Sequence, residues 1–174
     1  MPLNTRIRSR LVDALAGTPI VVSTLLGNTP ADSPLWDYRA SPERFSLREV
    51  VAHLADYDIV WLEYLTAALS SSDGPAEVTA YEPDERAVKY DYAHAIPSES
   101  LAALSATRQQ LVALLPALES TAWETNAIYS PRHGSRTVEE LATQFLAHDG
   151  YHTRQIAEYL SSAPNAGTQP FPHA

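Results

Sequence analysis

The chain of 174 residues contains no cysteine. That absence excludes disulfides, thiolate metal ligands and a cysteine nucleophile. Positive charge is also scarce. Twelve Lys and Arg face 21 Asp and Glu, for a formal charge of −9 and a pI of about 5.0. Nucleic-acid binders normally carry a basic patch, so no nucleic-acid partner is expected. Long apolar runs are missing too: uninterrupted stretches are a few residues long, far below the roughly 18 that a membrane span needs. Arg6, Arg8 and Arg10 precede the segment Leu11 to Gly27 in the manner of a secretory signal. Asp13 and Pro19 interrupt its apolar part, and no small-residue cleavage site follows. The expectation is a cytoplasmic protein with no membrane partner.

Hydrophobic residues make up 45% of the chain, ample for a core. The thirteen prolines divide it unevenly. They leave three long proline-free stretches, Glu43–Gly74, Ser98–Leu115 and Arg132–Ala163. A proline inside a helix costs about 3 kcal/mol, so these stretches are where long helices are predicted. One helix should open near Ser46, which forms the capping-box pattern with Glu49, and be ended by the run Ser70-Ser71-Ser72-Asp73-Gly74-Pro75. Its apolar stripe is Leu47, Val50, Val51, Leu54, Trp61, Leu65 and Leu69. Another runs from near Ser98 to Leu115. A last one opens at Thr137 and Glu140, a second capping box, with the stripe Val138, Leu141, Phe145, Ile156 and Tyr159. Ile7, Leu11, Leu15, Val22 and Leu25 keep one helical phase across Pro19, which predicts a kinked first helix. No strand pattern stands out.

These readings define an all-α protein, a four-helix bundle with a long crossover connection. The crossover, Ser70 to Pro97, is acidic and carries Tyr81, Tyr90 and Tyr92, and it could cover one end of the bundle. Residues 1–162 form one domain, and 163–174, with Pro164, Pro170 and Pro172, an irregular tail.

Among the six histidines, His148 and His152 stand four apart on a helix, so they project from one face. That face also carries Leu141, Phe145 and Tyr159. Imidazoles placed there lose water and need partners. The partner can be a shared cation or a hydrogen bond between two core histidines. A zinc-like site wants a third ligand and an open position. His53, on the flank of the Ser46 helix stripe, is the best candidate, although it also reads as an ordinary interfacial histidine. His94, His133 and His173 read as exposed. The pattern is not H-E-x-x-H, because position 149 is Asp. His148-Asp149 is also similar to HD phosphohydrolases, but no ordered Asp ligand follows. Tyr57 and Gln155 are expected to line the pocket or support the ligands, and Asp149 to orient a neighbouring group or cap a surface. Asp58 and Arg108 fall on apolar stripes. They should pair across the bundle, or Arg108 should receive an anionic substrate group.

Ser46-Leu47-Arg48-Glu49-Val50-Val51-Ala52-His53-Leu54-Ala55-Asp56 with Trp61, and Ala147-His148-Asp149-Gly150-Tyr151-His152-Thr153-Arg154-Gln155-Ile156, resemble two helices of the DinB-like (YfiT-like) metalloenzyme family. The turn Pro131 to Thr137 resembles the one leading into that family's last helix. The resemblance runs from about Leu11 to Leu160. One departure is Phe45, where members often have Trp. The resemblance implies a DinB-like four-helix bundle, and a divalent metal, zinc or nickel, on His53, His148 and His152. It also implies a homodimer and a small-molecule substrate. Its activity would be that of a metal-dependent transferase using a low-molecular-weight thiol cofactor. The alternatives are a metal-dependent hydrolase in the same site and a non-enzymatic helical metal-binding domain.

Overall fold

The computed structural model describes residues 5–162. The tail expected over 163–174, with His173, lies outside the described residues. Four long helices dominate: α1 (Thr5–Leu26), α2 (Leu47–Ser70), α4 (Pro97–Leu114) and α6 (Val138–Ser162). Two short helices, α3 (Pro83–Lys89) and α5 (Ser120–Thr125), lie in the connections.

Local chemistry explains the helix ends. Ser46 accepts from the Glu49 backbone N–H, and the Glu49 carboxylate accepts from the Ser46 N–H at 2.6 Å, a complete capping box. Thr137 and Glu140 exchange the same pair of bonds at the start of α6. Pro97 occupies the first turn of α4, where a missing N–H costs nothing.

Each of α1 and α2 packs against both α4 and α6. The order around the bundle is therefore α1, α4, α2, α6, with α1 diagonal to α2. Consecutive long helices are not always neighbours, which is why long connections are needed. The crossover packs on α2. It also donates strand β1 (Ala76–Glu77), which pairs in parallel with β2 (Ala127–Ser130). Strand β3 (Gly134–Thr137) closes an antiparallel hairpin on β2. This small sheet corrects the expectation of a chain without strands. Two to four residues are too few to show a period-2 alternation in sequence. Gly134, at φ +69°, takes the left-handed conformation that ends the three-residue hairpin loop.

The apolar core falls into two clusters. One holds Leu11, Leu15, Trp61, Leu65, Leu111, Phe145 and Leu141. The other holds Val22, Leu26, Trp36, Leu47, Val50, Leu54, Leu104, Ile156 and Tyr159. Between them, at mid-height on every long helix, lies a polar layer: Thr18, Asp58, Arg108 and Asp149, all buried. Asp58 and Arg108 pair as the sequence predicted, through two bonds of 2.9 Å. Arg108 also binds Asp149 and is 1% exposed, so it does not receive a substrate group. Pro19 belongs to this layer's logic. It lies inside α1, which runs on through it, and it cannot donate to Leu15 four residues back. The freed Leu15 carbonyl accepts from Arg108 at 2.6 Å.

Helix α1 is long and apolar enough, by length and composition, to cross a membrane. In this fold its Leu11, Leu15, Val22 and Leu26 are buried in the two core clusters.

Candidate metal centre

His53 sits near the start of α2, and His148 and His152 lie one turn apart on α6. The packing of α2 on α6 brings all three together. His53 and His152 are buried and His148 is half-buried. One ring nitrogen from each lies within 4.8 Å of the others, close enough to share one ion. The Nε2 atoms of His53 and His148 approach to 2.9 Å. His94 and His133 are exposed, as expected.

Two hydrogen-bond chains orient the rings. On α6, Tyr159 donates to the Phe45 carbonyl at 2.8 Å and accepts from Gln155 Nε2 at 3.0 Å. The Gln155 carbonyl oxygen thereby faces His152 Nδ1, 2.9 Å away, and accepts its proton. Neutral His152 therefore keeps its lone pair on Nε2. On the other side, the Tyr81 hydroxyl is 2.9 Å from His53 Nδ1 and is bonded to Tyr92. Tyr92 donates to the Asp56 carboxylate, which Arg86 also holds, with Nη2 donating at 2.6 Å. A carboxylate only accepts, so the protons of this chain all point toward Asp56. His53 Nδ1 becomes the donor, and its lone pair also lies on Nε2. Such outer partners commonly fix the tautomer of metal-binding histidines.

His148 differs from its neighbours. Its ring lies 3.9 Å from that of Tyr57, and its buried Nδ1 has no hydrogen-bond partner. Burial, reinforced by the charge of His152, pushes His53 down to about 3 and His148 to about 2. His152 is lowered too, by burial. All three are then neutral near pH 7, the form that ligates. Three neutral imidazoles with converging nitrogens fit a divalent first-row ion.

The cluster opens into a cavity of about 450 Å³. Phe45, Tyr57, Tyr81, Tyr151 and Gln155 line it together with the three histidines. Tyr57 and Gln155 are thus where the sequence placed them. Asp149 points into the polar layer, where it holds a neighbouring group, Arg108, and accepts from Thr18 at 2.7 Å. It neither caps a surface nor lines the pocket, because α6 is covered on that side by α1. One guanidinium faces two carboxylates there. Burial pushes Asp58 up to about 6 despite its bonds to Arg108.

Tyr81, Tyr92 and Arg86 carry no mark in the sequence as parts of the site. The tyrosines of the crossover were visible, but nothing local indicated that they fold back onto α2. Asp56, one turn beyond His53, was the one legible signal.

A helical bundle with three imidazoles that could hold a metal ion, opening into an aromatic cavity, defines the class of protein. The chain belongs to the DinB superfamily, whose family model matches residues 14–156. Among solved structures it is similar to YfiT from Bacillus subtilis, described as a probable metal-dependent hydrolase with an unusual four-helix bundle topology. The two share 20% identity with a TM-score of 0.80, over 91% of this chain and 89% of that one. At that identity the likeness carries the fold. No curated protein matches the chain.

Proposed function

We propose that the protein is a metal-dependent transferase that uses a low-molecular-weight thiol, with a divalent ion held by His53, His148 and His152. Zinc or nickel suits three imidazoles. Such an ion supplies a Lewis acid that lowers the pKa of a bound thiol or water.

The observation that carries the thiol reading is the state of the carboxylates. Water activation commonly uses a carboxylate base beside the metal. Here Asp56 is tied to Arg86 and Tyr92, and Asp149 to Arg108 and Thr18. The two acids that line the cavity, Glu43 and Asp84, are exposed. A thiol needs less help, because its own pKa is already near 8.5. The chain has no cysteine, so the sulfur comes from a cosubstrate. Phe45, Tyr57 and Tyr151 offer apolar walls for the electrophile.

A second reading, a hydrolase in the same site, is favoured by the description of YfiT. The experiment that separates them incubates metal-loaded protein with a chromogenic electrophile, with and without each of several small thiols. Thiol-dependent turnover that is lost in His152→Ala supports the transferase. Ester or amide cleavage without any thiol overturns it in favour of the hydrolase.

A further inference from the structure

Arg44 is the one Arg or Lys among the residues lining the metal cavity. It sits in the loop before α2, next to Phe45, whose carbonyl ends the His152 chain. Its guanidinium stacks on Tyr159, 5.5 Å from the ring centroid. Its nearest carboxylate, Glu158, is 3.8 Å away, beyond hydrogen-bond distance. Glu158 lies equally loosely, at 3.7 Å, from Arg154. Among the described residues no side-chain hydrogen bond of Arg44 is present, in contrast to Arg8, Arg86 and Arg108, each tied to a carboxylate at 2.5 to 2.9 Å.

The two acids at the cavity rim do not satisfy it. Glu43 is exposed and bonds Ser41. Asp84 is exposed on α3. Arg44, which lines the cavity, thus has donors that no carboxylate takes up within hydrogen-bond distance, on a side chain that rests against Tyr159, in a chain of formal charge −9. A planar fork of N–H donors matches a carboxylate.

We infer that the thiol cosubstrate proposed above, whose sulfur would be held at the metal, also carries a carboxylate, and that Arg44 receives it. This rests on the thiol-transferase reading proposed above and adds to it the chemical class of the cosubstrate. Arg44 is a specificity residue in this scheme and takes no part in bond making.

The test uses the full chain loaded with Co(II), whose absorption reports thiolate binding. The probes are 3-mercaptopropionate and its methyl ester, which differ at the carboxylate. The acid should bind about tenfold more tightly or better, as a charge-assisted hydrogen bond gives. In Arg44→Gln that preference should fall to near one, and in Arg44→Lys part of it should return. The melting temperature of each metal-free variant controls for folding. The comparison of the two probes on the unaltered chain needs no variant at all. Equal affinities there, or a preference that survives in Arg44→Gln, overturn the inference while leaving the metal site intact. Failure of Co(II) to bind overturns the metal reading and this inference together.

Discussion

Two polar clusters are buried in this bundle, and they share helices α2 and α6, where their members lie a few residues apart. Asp58 and Asp149 join Arg108 in one; His53, His148 and His152 form the other. In the first, the Arg108 nitrogens reach Asp58, Asp149 and the Leu15 carbonyl, and the three side chains are almost fully buried. In the second, two imidazoles are oriented from behind, one has an orphaned nitrogen, and all face a cavity. A buried polar cluster that is fully paired specifies packing. One that is oriented but incomplete is built to receive something.

The largest effect should come from breaking the closed cluster. Arg108→Met leaves Asp58 and Asp149 buried without a counter-charge and should cost about 3–5 kcal/mol of unfolding free energy in urea. A cost below about 1 kcal/mol would mean that the two clusters do not differ as described. Asp58→Leu and Asp149→Leu added to it should recover much of the loss.

Next comes the open cluster. His152→Ala should take metal content, measured on protein purified without a His-tag, from about one ion per chain to near zero. Its metal-free form should lose less stability than the Arg108 variant. Unchanged metal content would remove the three-histidine site.

The clusters also titrate with opposite signs. An unfolded imidazole titrates near 6.5, and folded His53 and His148 near 3 and 2. The folded state therefore holds fewer protons across that window. The stabilisation is complete above pH 6.5 and is lost as pH falls toward 3, by up to about 1.4 kcal/mol per pH unit for each imidazole. Asp58 runs the other way: its contribution is present below its ordinary value and lost as pH rises through about 6. Urea unfolding of the metal-free chain from pH 7 to 4 should show a net acid loss. A His53→Gln variant should show a shallower one, and an equal slope would remove His53 from the account.

The smallest effect tests the orientation of the ligands. Tyr81→Phe keeps the ring but removes the hydroxyl that accepts from His53. Metal affinity, read by competition with a chelating dye, should fall tenfold to a hundredfold at an unchanged metal-free melting temperature. An unchanged affinity would mean that the crossover only covers the site.

Much of this was legible in one dimension. The capping boxes at Ser46 and Thr137 and the proline-free stretches marked the helices, since both act within a turn or two. The i,i+4 pair of His148 and His152 shares a face wherever that helix packs. The Asp58–Arg108 pair was legible because a charge on an apolar stripe must find a partner. For Asp149 the wheel angle left two roles open, orienting a neighbouring group or capping a surface, since it says which way a residue points but not what lies there; the neighbour is Arg108. The three strands were missed because each is shorter than its own signature.

The sequence by itself determined the helices, their apolar faces and which histidines could face inward, because these follow from local periodicity and steric limits. Only the tertiary structure decided what each polar group meets. Tyr81 reaches His53 from 28 residues away. The carbonyl freed by Pro19 finds Arg108 on another helix. Asp149 faces a layer made by three other helices. Those meetings depend on which helices become neighbours. That is settled by burying all the stripes at once, and no single stretch of chain contains the answer.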